Sequence, residues 1–369
     1  MLANVYGQNQ QSVTAYASML SSNKKPYLIV LLLLIMSSCG FIALNVGSIK
    51  ISPAEVINAC FGGFGTHIGL PEISLEIKQV ILALRMPRTM LAMIVGISLA
   101  VSGTVLQGLF RNPLADPSLI GVTSGGAVGA ALMIVLGSTT LIFISSSLHN
   151  YAIIFSAMIG SIGSTFLIYR LAKVGGRIHV PTMLLCGIAV NAFAGAIIGV
   201  MIYIADLENL RDLTFWSMGS FARAPRLAIF IVSPILLIFL FLLFCQAKIL
   251  NVLLLGEAEA GHFGIDTHKV GRRIIVLSGA TVGLCVSLTG TIAFVGLIVP
   301  HLMRLLVGPN HCFLIPAAGL AGGTLLIIAD LLSRSMLTGA EIPIGILTAF
   351  IGAPFFLFLL LSTKHHKLL

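Results

Sequence analysis

Three arginines lie at positions from which their side chains could bind carboxylates. Arg85 and Arg88 stand three residues apart at the start of a long apolar run, and Arg334 lies near the end of another run. The planar guanidinium group suits this chemistry because it can donate two parallel hydrogen bonds to one carboxylate. Arginines at helix ends also extend towards the membrane surface for solvation alone, and the residues by themselves favour that interpretation for Arg85 and Arg88.

Acidic residues are scarce in the apolar runs, and Asp330 is an exception. It precedes Arg334 by four positions, a spacing that lets two side chains pair on one helix face. A charge inside an apolar run is costly and is often functional. We interpret the two residues as a structural ion pair near the end of a span rather than as a substrate site.

The most charged linker of the chain, residues 247–273, contains a short acidic segment flanked by glycines. It reads Gly256-Glu257-Ala258-Glu259-Ala260-Gly261-His262-Phe263-Gly264-Ile265-Asp266. A short helix of this kind between two spans would project from the membrane, where a cytosolic partner could bind it. A solvated loop explains the same composition, and the residues do not decide between the two.

Motifs for nucleotide binding and for hydrolysis are absent from the sequence. There is no Gly-x-x-x-x-Gly-Lys-Ser/Thr phosphate loop, no His-Glu-x-x-His motif and no Gly-x-Ser-x-Gly motif. The six cysteines stand alone, which favours small core residues over a disulfide framework or a metal site. We therefore expect no catalytic residue, no metal site and no cofactor bound by this chain itself.

The composition places the chain in a bilayer. Of its 369 residues, 57% are hydrophobic and 9% are charged, whereas soluble domains carry about 25% charged residues. So few charges cannot form a water-facing surface, so lipid must cover most of the protein. The net charge of +9 comes without a dense Lys/Arg cluster, which argues against a nucleic-acid partner.

Apolar runs of about 20 residues predict an all-α integral membrane protein with about ten transmembrane helices. The candidate spans are 26–46, 89–110, 118–137, 151–171, 182–204, 227–246, 274–289, 292–307, 313–333 and 344–362. They form one integral membrane domain, 26–362, between an N-terminal segment, 1–25, and a tail, 363–369. The polar stretch 205–226 is too short to span and predicts a helix near the surface.

The distribution of charge predicts the orientation of the chain. With both termini in the cytoplasm, the inner segments carry thirteen basic and four acidic residues, and the outer segments carry eight of each. The whole excess of positive charge then falls inside, as the positive-inside rule expects. The opposite orientation would put that excess outside, and we reject it.

Small residues predict where the helices pack closely. Gly121, Gly125 and Gly129 repeat every four positions, which places them on one helix face.

In the fifth candidate span, small side chains around Gly195 leave room for a wide passage, and Asn191 is the strong polar group there. We expect Asn191 to form a hydrogen bond between helices rather than to contact a substrate.

Several motifs, in order along the chain, resemble those of the FecCD family of ABC importer permeases. They are Arg85-Met86-Pro87-Arg88, the turn 107–117, Gly121-Val122-Thr123-Ser124-Gly125-Gly126, Gly256-Glu257-Ala258-Glu259-Ala260, the segment 296–304, and Glu341-Ile342-Pro343-Ile344-Gly345. The resemblance covers about residues 50–362. It implies the type II ABC importer permease fold and import of vitamin B12, ferric siderophores or heme.

The resemblance also implies partners. A second copy of the chain, two separate ATPase subunits that use ATP and Mg²⁺, and a periplasmic binding protein would complete a transporter of the bacterial inner membrane. The coupling residues implied are Gly256, Glu257, Ala258, Glu259, Ala260 and Gly264. Arg85, Arg88 and Arg334 would dock the glutamates of the binding protein.

One position departs from the family pattern, in which an arginine usually occupies the place of Gly261. An ionic contact with the ATPase would then be missing or would come from another basic residue, such as Lys269 or Arg272.

The resemblance further implies a conduit at the dimer axis, gated by the fifth span and the short helix that follows. The candidate path and gate residues are Asn191, Gly195, Leu213, Trp216 and Met218. The stretch 205–220 looks most like the heme-importing branch, while a siderophore or cobalamin importer remains the alternative. An ion-coupled secondary transporter is less favoured because no apolar run has a central acid.

Overall fold

The computed structural model describes residues 24–47, 49, 51–61, 73–140, 146–174, 177–337 and 340–365. Most of the predicted terminal segments, 1–25 and 363–369, lies outside these residues. The described parts are almost entirely helical. A hairpin of two short antiparallel strands, β1 (Lys173–Val174) and β2 (Arg177–Ile178), is the exception to the all-α prediction.

Ten long helices correspond one for one to the predicted spans. They are α1 (Lys25–Asn45), α4 (Met86–Phe110), α5 (Val122–Thr140), α6 (Ser146–Leu171), α7 (Val180–Ile204), α9 (Arg226–Phe244), α12 (Thr267–Thr289), α13 (Val295–Val307), α14 (His311–Ser335) and α15 (Ile344–His365). In the described part of the chain, seven helices are long and apolar enough to cross a membrane, and α5, α13 and α15 supply shorter apolar stretches. The prediction of about ten membrane helices is confirmed.

Short helices fill the connections between the spans. They are α2 (Pro53–Cys60), α3 (Leu75–Gln79), α8 (Leu207–Ser217), α10 (Ala247–Leu253) and α11 (Glu257–His262). A π-helical stretch, Val80–Arg85, joins α3 to α4, and a 3₁₀ turn, Pro117–Ile120, precedes α5. The short helix predicted within 205–226 is therefore present as α8.

The start of α12 differs from the prediction, which began this span at residue 274. The helix begins at Thr267 because the Asp266 carboxylate accepts hydrogen bonds from the backbone N–H groups of His268 and Lys269. Basic residues that look like a linker in the sequence thus form the first two turns of a span. The linker predicted as 247–273 is accordingly shorter than predicted and ends at Asp266.

The helices divide into an inner and an outer group. In the most apolar window of each helix, 78% of the residues are buried for the α4 segment and 72% for α12, against 11% for α1 and 17% for α7. The core therefore lies around α4 and α12, with α14 beside them. Helices α1 and α7 present most of their side chains to the surroundings.

Glycines let the inner helices touch backbone to backbone. A Cβ atom on Gly103 of α4 would lie 1.8 Å from the carbonyl oxygen of Gly296 in α13. Gly125 of α5 likewise meets the carbonyl of Gly160 in α6, and Gly129 meets that of Ser156. Contacts this close exclude any side chain larger than hydrogen. The predicted close packing is confirmed for Gly125 and Gly129, whereas Gly121 lies before α5 with a φ of 73° and ends the 3₁₀ turn instead of sharing their helix face.

This packing gives a test of stability. Gly103→Ala should destabilise the protein by about 2 kcal/mol or more, because the added methyl group forces α4 away from α13. Gly40→Ala is the matched control, since no heavy atom lies within 4 Å of its Cβ position in α1. There the better helix propensity of alanine should stabilise by up to about 1 kcal/mol. Thermal unfolding of both variants in the same detergent measures the difference, and equal midpoints would contradict the packing argument.

Candidate docking, coupling and gate sites

The arginine at the start of α4 binds two carboxylates. Arg88 Nε donates to Asp330 Oδ1 at 2.8 Å, while Nη1 and Nη2 donate to the two oxygens of Glu341 at 2.8 and 3.0 Å. The Asp330 side chain is 1% exposed and that of Glu341 is 46% exposed. Arg88 thus holds one buried and one accessible acid, the latter by the two-pronged geometry typical of arginine.

The other two predicted docking arginines bind the end of α1. Arg85 Nη1 donates to the carbonyl oxygens of Leu44 and Asn45 at 2.8 and 2.9 Å, and Arg334 donates to that of Ala43. These carbonyls lie in the last turn of α1 or just above it, where an α-helix leaves its acceptors unsatisfied. Arg85 and Arg334 therefore hold the end of α1 against the neighbouring helices, which is a structural role within this protein.

The predicted pair of Asp330 and Arg334 is present, with 3.6 Å between Oδ2 and Nε. Asp330 thus lies between two guanidinium groups, those of Arg88 and Arg334. This compensation explains how a carboxylate remains buried at the end of a span. The interpretation of Asp330 as a structural residue agrees with this geometry.

The structure brings the three arginines together around one open cleft of about 770 Å³. Glu341 also lines this cleft, together with apolar residues such as Leu84 and Leu337. Arg85 is only 6% exposed, and the Arg334 side chain 8%. Docking of a partner's glutamates by these arginines stays a prediction. Of the three, Arg88 is the one whose ion pair, with Glu341, a partner's carboxylate could replace.

The predicted coupling residues form a projecting turn around α11. Gly256 has a φ of 127°, which only glycine adopts readily, and it redirects the chain into α11. Glu257, Ala258, Glu259 and Gly264 are exposed, whereas Ala260 is fully buried and packs against the body of the protein. Ala260 thus anchors α11 instead of presenting a surface to a partner.

Two apolar side chains on this projection were missed by the sequence analysis. Leu255 is 66% exposed and Phe263 is 68% exposed, one on each side of α11. Together with the exposed acids they make this turn a candidate interaction surface. The sequence could have indicated them, because Leu255 directly precedes Gly256 and Phe263 directly precedes Gly264.

Lys269 and Arg272, the basic residues that could substitute for the arginine missing at position 261, have different surroundings. Lys269 pairs with Asp266, with 3.1 Å between Nζ and Oδ2. The backbone and side-chain hydrogen bonds from Lys269 hold the pKa of Asp266 below its usual value. Arg272 is exposed in the first turns of α12. Arg111, at the end of α4, reaches Glu257 with 3.5 Å between Nη2 and Oε1.

The fifth span, α7, presents a polar contact and an open face. Ser124 Oγ donates to Asn191 Oδ1 at 2.6 Å, so Asn191 joins α7 to α5. The prediction of a hydrogen bond between helices at Asn191 is confirmed. Gly195, by contrast, has no heavy atom within 4 Å of its Cβ position.

The candidate gate residues on α8 face the interior of the chain. Leu213 is 4% exposed and Trp216 is 8% exposed, so neither lines an accessible path in this conformation. Their side chains instead fix α8 against the core. Met218, just after α8, is partly buried.

The end of α8 is tied to two other breaks in the helices. Ser220 N donates to the carbonyl of Thr289 at 2.7 Å, and the Thr291 hydroxyl donates to that of Ser217. Ile344 N and Gly345 N donate to the carbonyls of Gly219 and Met218 at 3.1 and 2.9 Å. The loop after α8, the gap between α12 and α13, and the start of α15 therefore form one hydrogen-bonded junction. The sequence indicates the glycines of these turns but not their meeting.

Among the residues that the structure describes, no group of three His, Cys, Asp or Glu side chains lies close enough to hold a metal ion. All six cysteines are free thiols.

Comparison with known proteins gives a consistent result. The model of the FecCD transport family matches residues 31–362. The hemin transport system permease protein HmuU of Yersinia pestis is 38% identical over 338 residues, which cover 92% of this chain and 96% of HmuU. The cobalamin import system permease protein BtuC of Halobacterium salinarum is 38% identical over 294 residues, covering 80% of this chain and 76% of that protein.

A solved structure resembles the fold over most of its length. It is described as an inward-facing conformation of a metal-chelate type ABC transporter, with a TM-score of 0.78 and 34% identity. The match covers 91% of this chain and 99% of the other. With the family match and the ten apolar helices, this likeness leads to one conclusion. The chain belongs to the FecCD transport family and is a multi-pass ABC importer permease.

Proposed function

We propose that this permease moves heme from the periplasm to the cytoplasm of a bacterium. The observation that carries the proposal is its similarity to a hemin permease over 92% of the chain. The vitamin B12 permease BtuC of Serratia proteamaculans, also 38% identical, covers 76% of the chain. The difference in coverage favours heme, and cobalamin is the second candidate, with a ferric siderophore as a further alternative.

The transporter that we propose contains two copies of this chain in the inner membrane. The exposed apolar side chains of α7, among them Leu185, Ile188 and Phe193, need cover from lipid or from a second copy. A conduit between the two copies would use the small residues near Gly195. We call α8 the gate helix, because it follows the conduit span and is joined to α15.

Two separate ATPase subunits would bind the projection around α11. Its exposed Leu255 and Phe263 supply apolar anchors in place of an arginine at position 261. Arg111 and Glu257 join this projection to the central helix α4. Since residues that the charge pattern assigns to the inner side lie together here, we infer that this end faces the cytoplasm, as do both termini.

An ion-coupled mechanism is the less favoured alternative because of the position of the buried acid. Asp330 lies near the end of α14 and is compensated by Arg88 and Arg334. A coupling acid needs to be free to take up a proton or a sodium ion within the span. ATP-driven import therefore accounts better for this carboxylate.

The substrate can be tested on the cognate periplasmic binding protein. Hemin should bind it and should be taken up by the reconstituted transporter, whereas cyanocobalamin should compete weakly. Radiolabelled uptake into proteoliposomes, with ATP inside, measures both. Preference for cyanocobalamin or for a ferric siderophore would replace heme as the substrate and leave the importer class unchanged.

The ATPase interface can be tested at Phe263. Phe263→Ser should weaken binding of the ATPase subunits by about tenfold or more, because a large apolar anchor is lost from the contact. Phe61→Ser is the matched control, since Phe61 is 63% exposed but lies after α2, away from the α11 projection. Co-purification and ATP hydrolysis measure the effect.

The purified permease alone should hydrolyse no ATP, since it has no phosphate-binding loop. Substantial hydrolysis without the ATPase subunits would contradict the division of labour. Equal ATPase binding by the Phe263→Ser and Phe61→Ser variants would remove the α11 projection from the interface.

A further inference from the structure

The guanidinium group of Arg88 is already occupied by a carboxylate of the same chain. Nη1 and Nη2 point to the two oxygens of Glu341, and Nε points to Asp330. A carboxylate from a docking protein would use this same two-pronged geometry. Three of the five N–H donors of Arg88 are thus taken, so such a partner would have to compete with Glu341 for the paired donors.

The two acids on Arg88 differ in how readily they could leave. Asp330 is 1% exposed and lies between Arg88 and Arg334, so releasing it would leave a buried charge without compensation. Glu341 is 46% exposed and lines the open cleft. Water can solvate the Glu341 carboxylate once it leaves Arg88, so its release costs less than that of Asp330. Glu341 is therefore the exchangeable partner.

The residues after Glu341 connect it to the junction at the gate helix. Ile342 N donates to the Ser333 carbonyl at 3.1 Å, and the Ser333 hydroxyl donates to the Ile342 carbonyl at 2.6 Å. Pro343 then fixes the backbone φ angle. The next two amides, Ile344 N and Gly345 N, bind the loop that ends α8. Only Ile342 and Pro343 separate the carboxylate on Arg88 from this junction.

We propose that Glu341 is a latch: an acidic group of the docking protein displaces it from Arg88, and its release loosens the hold of segment 341–345 on the gate helix. This inference rests on the proposed function, because it presumes the periplasmic binding protein of an importer and acidic groups of that protein at the cleft. Docking and gate movement are then linked, so each changes the equilibrium of the other by the same factor. Glu341 acts as a positioning residue, and Arg88 is the group that touches the partner.

The test uses the complete transporter in lipid nanodiscs, with its ATPase subunits and the cognate substrate-loaded binding protein. Glu341→Gln keeps the shape of the side chain and removes its charge, so Arg88 becomes available without a competitor. We expect the binding protein to bind about tenfold more tightly, and ATP hydrolysis without the binding protein to rise towards the stimulated rate.

Three further variants serve as controls. Glu341→Asp keeps the charge and should return both values towards those of the unmodified transporter. Glu76→Gln removes an exposed carboxylate from α3, outside the ion pairs of the cleft, and should change neither value. Arg88→Gln should abolish docking whether or not Glu341 is present.

The outcomes separate the latch from the function on which it rests. If Glu341→Gln leaves affinity and basal hydrolysis unchanged, or weakens docking, the latch is wrong, while stimulation of the unmodified transporter still supports an importer. If the unmodified transporter neither binds nor responds to the binding protein, the proposed partner fails and the latch fails with it. Tighter docking that persists in Glu341→Asp would also overturn the latch, because charge competition would not be the cause.

Discussion

Direct contact between helix backbones is the constraint on which the rest of this permease depends. Lipid tails are as apolar as leucine, so burying apolar side chains between helices yields little free energy in a bilayer. Gly103 lets α4 approach the Gly296 carbonyl of α13, and Gly96 lets it approach the Gly322 carbonyl of α14. Because these contacts hold α4 on both sides, they also fix the positions of Arg88 and Arg111 at its two ends.

The charged residues around Arg88 stabilise the ends of the helices and also line the open cleft. Arg85 and Arg334 satisfy carbonyls at the end of α1, and Asp330 balances Arg88 and Arg334. These residues are nearly inaccessible. Arg88 differs because its second acid, Glu341, is open to water. Three arginines that look equivalent in the sequence therefore have unequal chances of meeting a partner.

The sequence predicted the ten helices well because most of the apolar runs match the thickness of a bilayer. It misjudged the start of α12, since the basic residues after Thr267 look like a linker unless Asp266 is recognised as a helix cap. The spacing of Gly125 and Gly129 predicted their close contacts, because packing of small residues is a local property of one helix face.

The contacts at the candidate sites could not be predicted from the sequence, and the reason is physical. Arg88 and Glu341 are 253 residues apart, and only the three-dimensional fold brings them together. The inward direction of Leu213 and Trp216 depends on which side of α8 meets the core, and its mixed composition leaves that open. The junction of Gly219, Thr289 and Gly345 likewise joins three distant turns.

Helix α4 has a mechanical consequence for the whole molecule. It runs for 25 residues without a proline beyond its first turn, a rod of about 37 Å. One tip carries Arg88 and the other carries Arg111, which touches Glu257. A rod packed this tightly cannot bend in the middle without opening its glycine contacts. A force that tilts one end of α4 must therefore shift the other end too. This one helix thus connects the surface at Arg88 mechanically to the surface at Arg111, on the opposite side of the membrane.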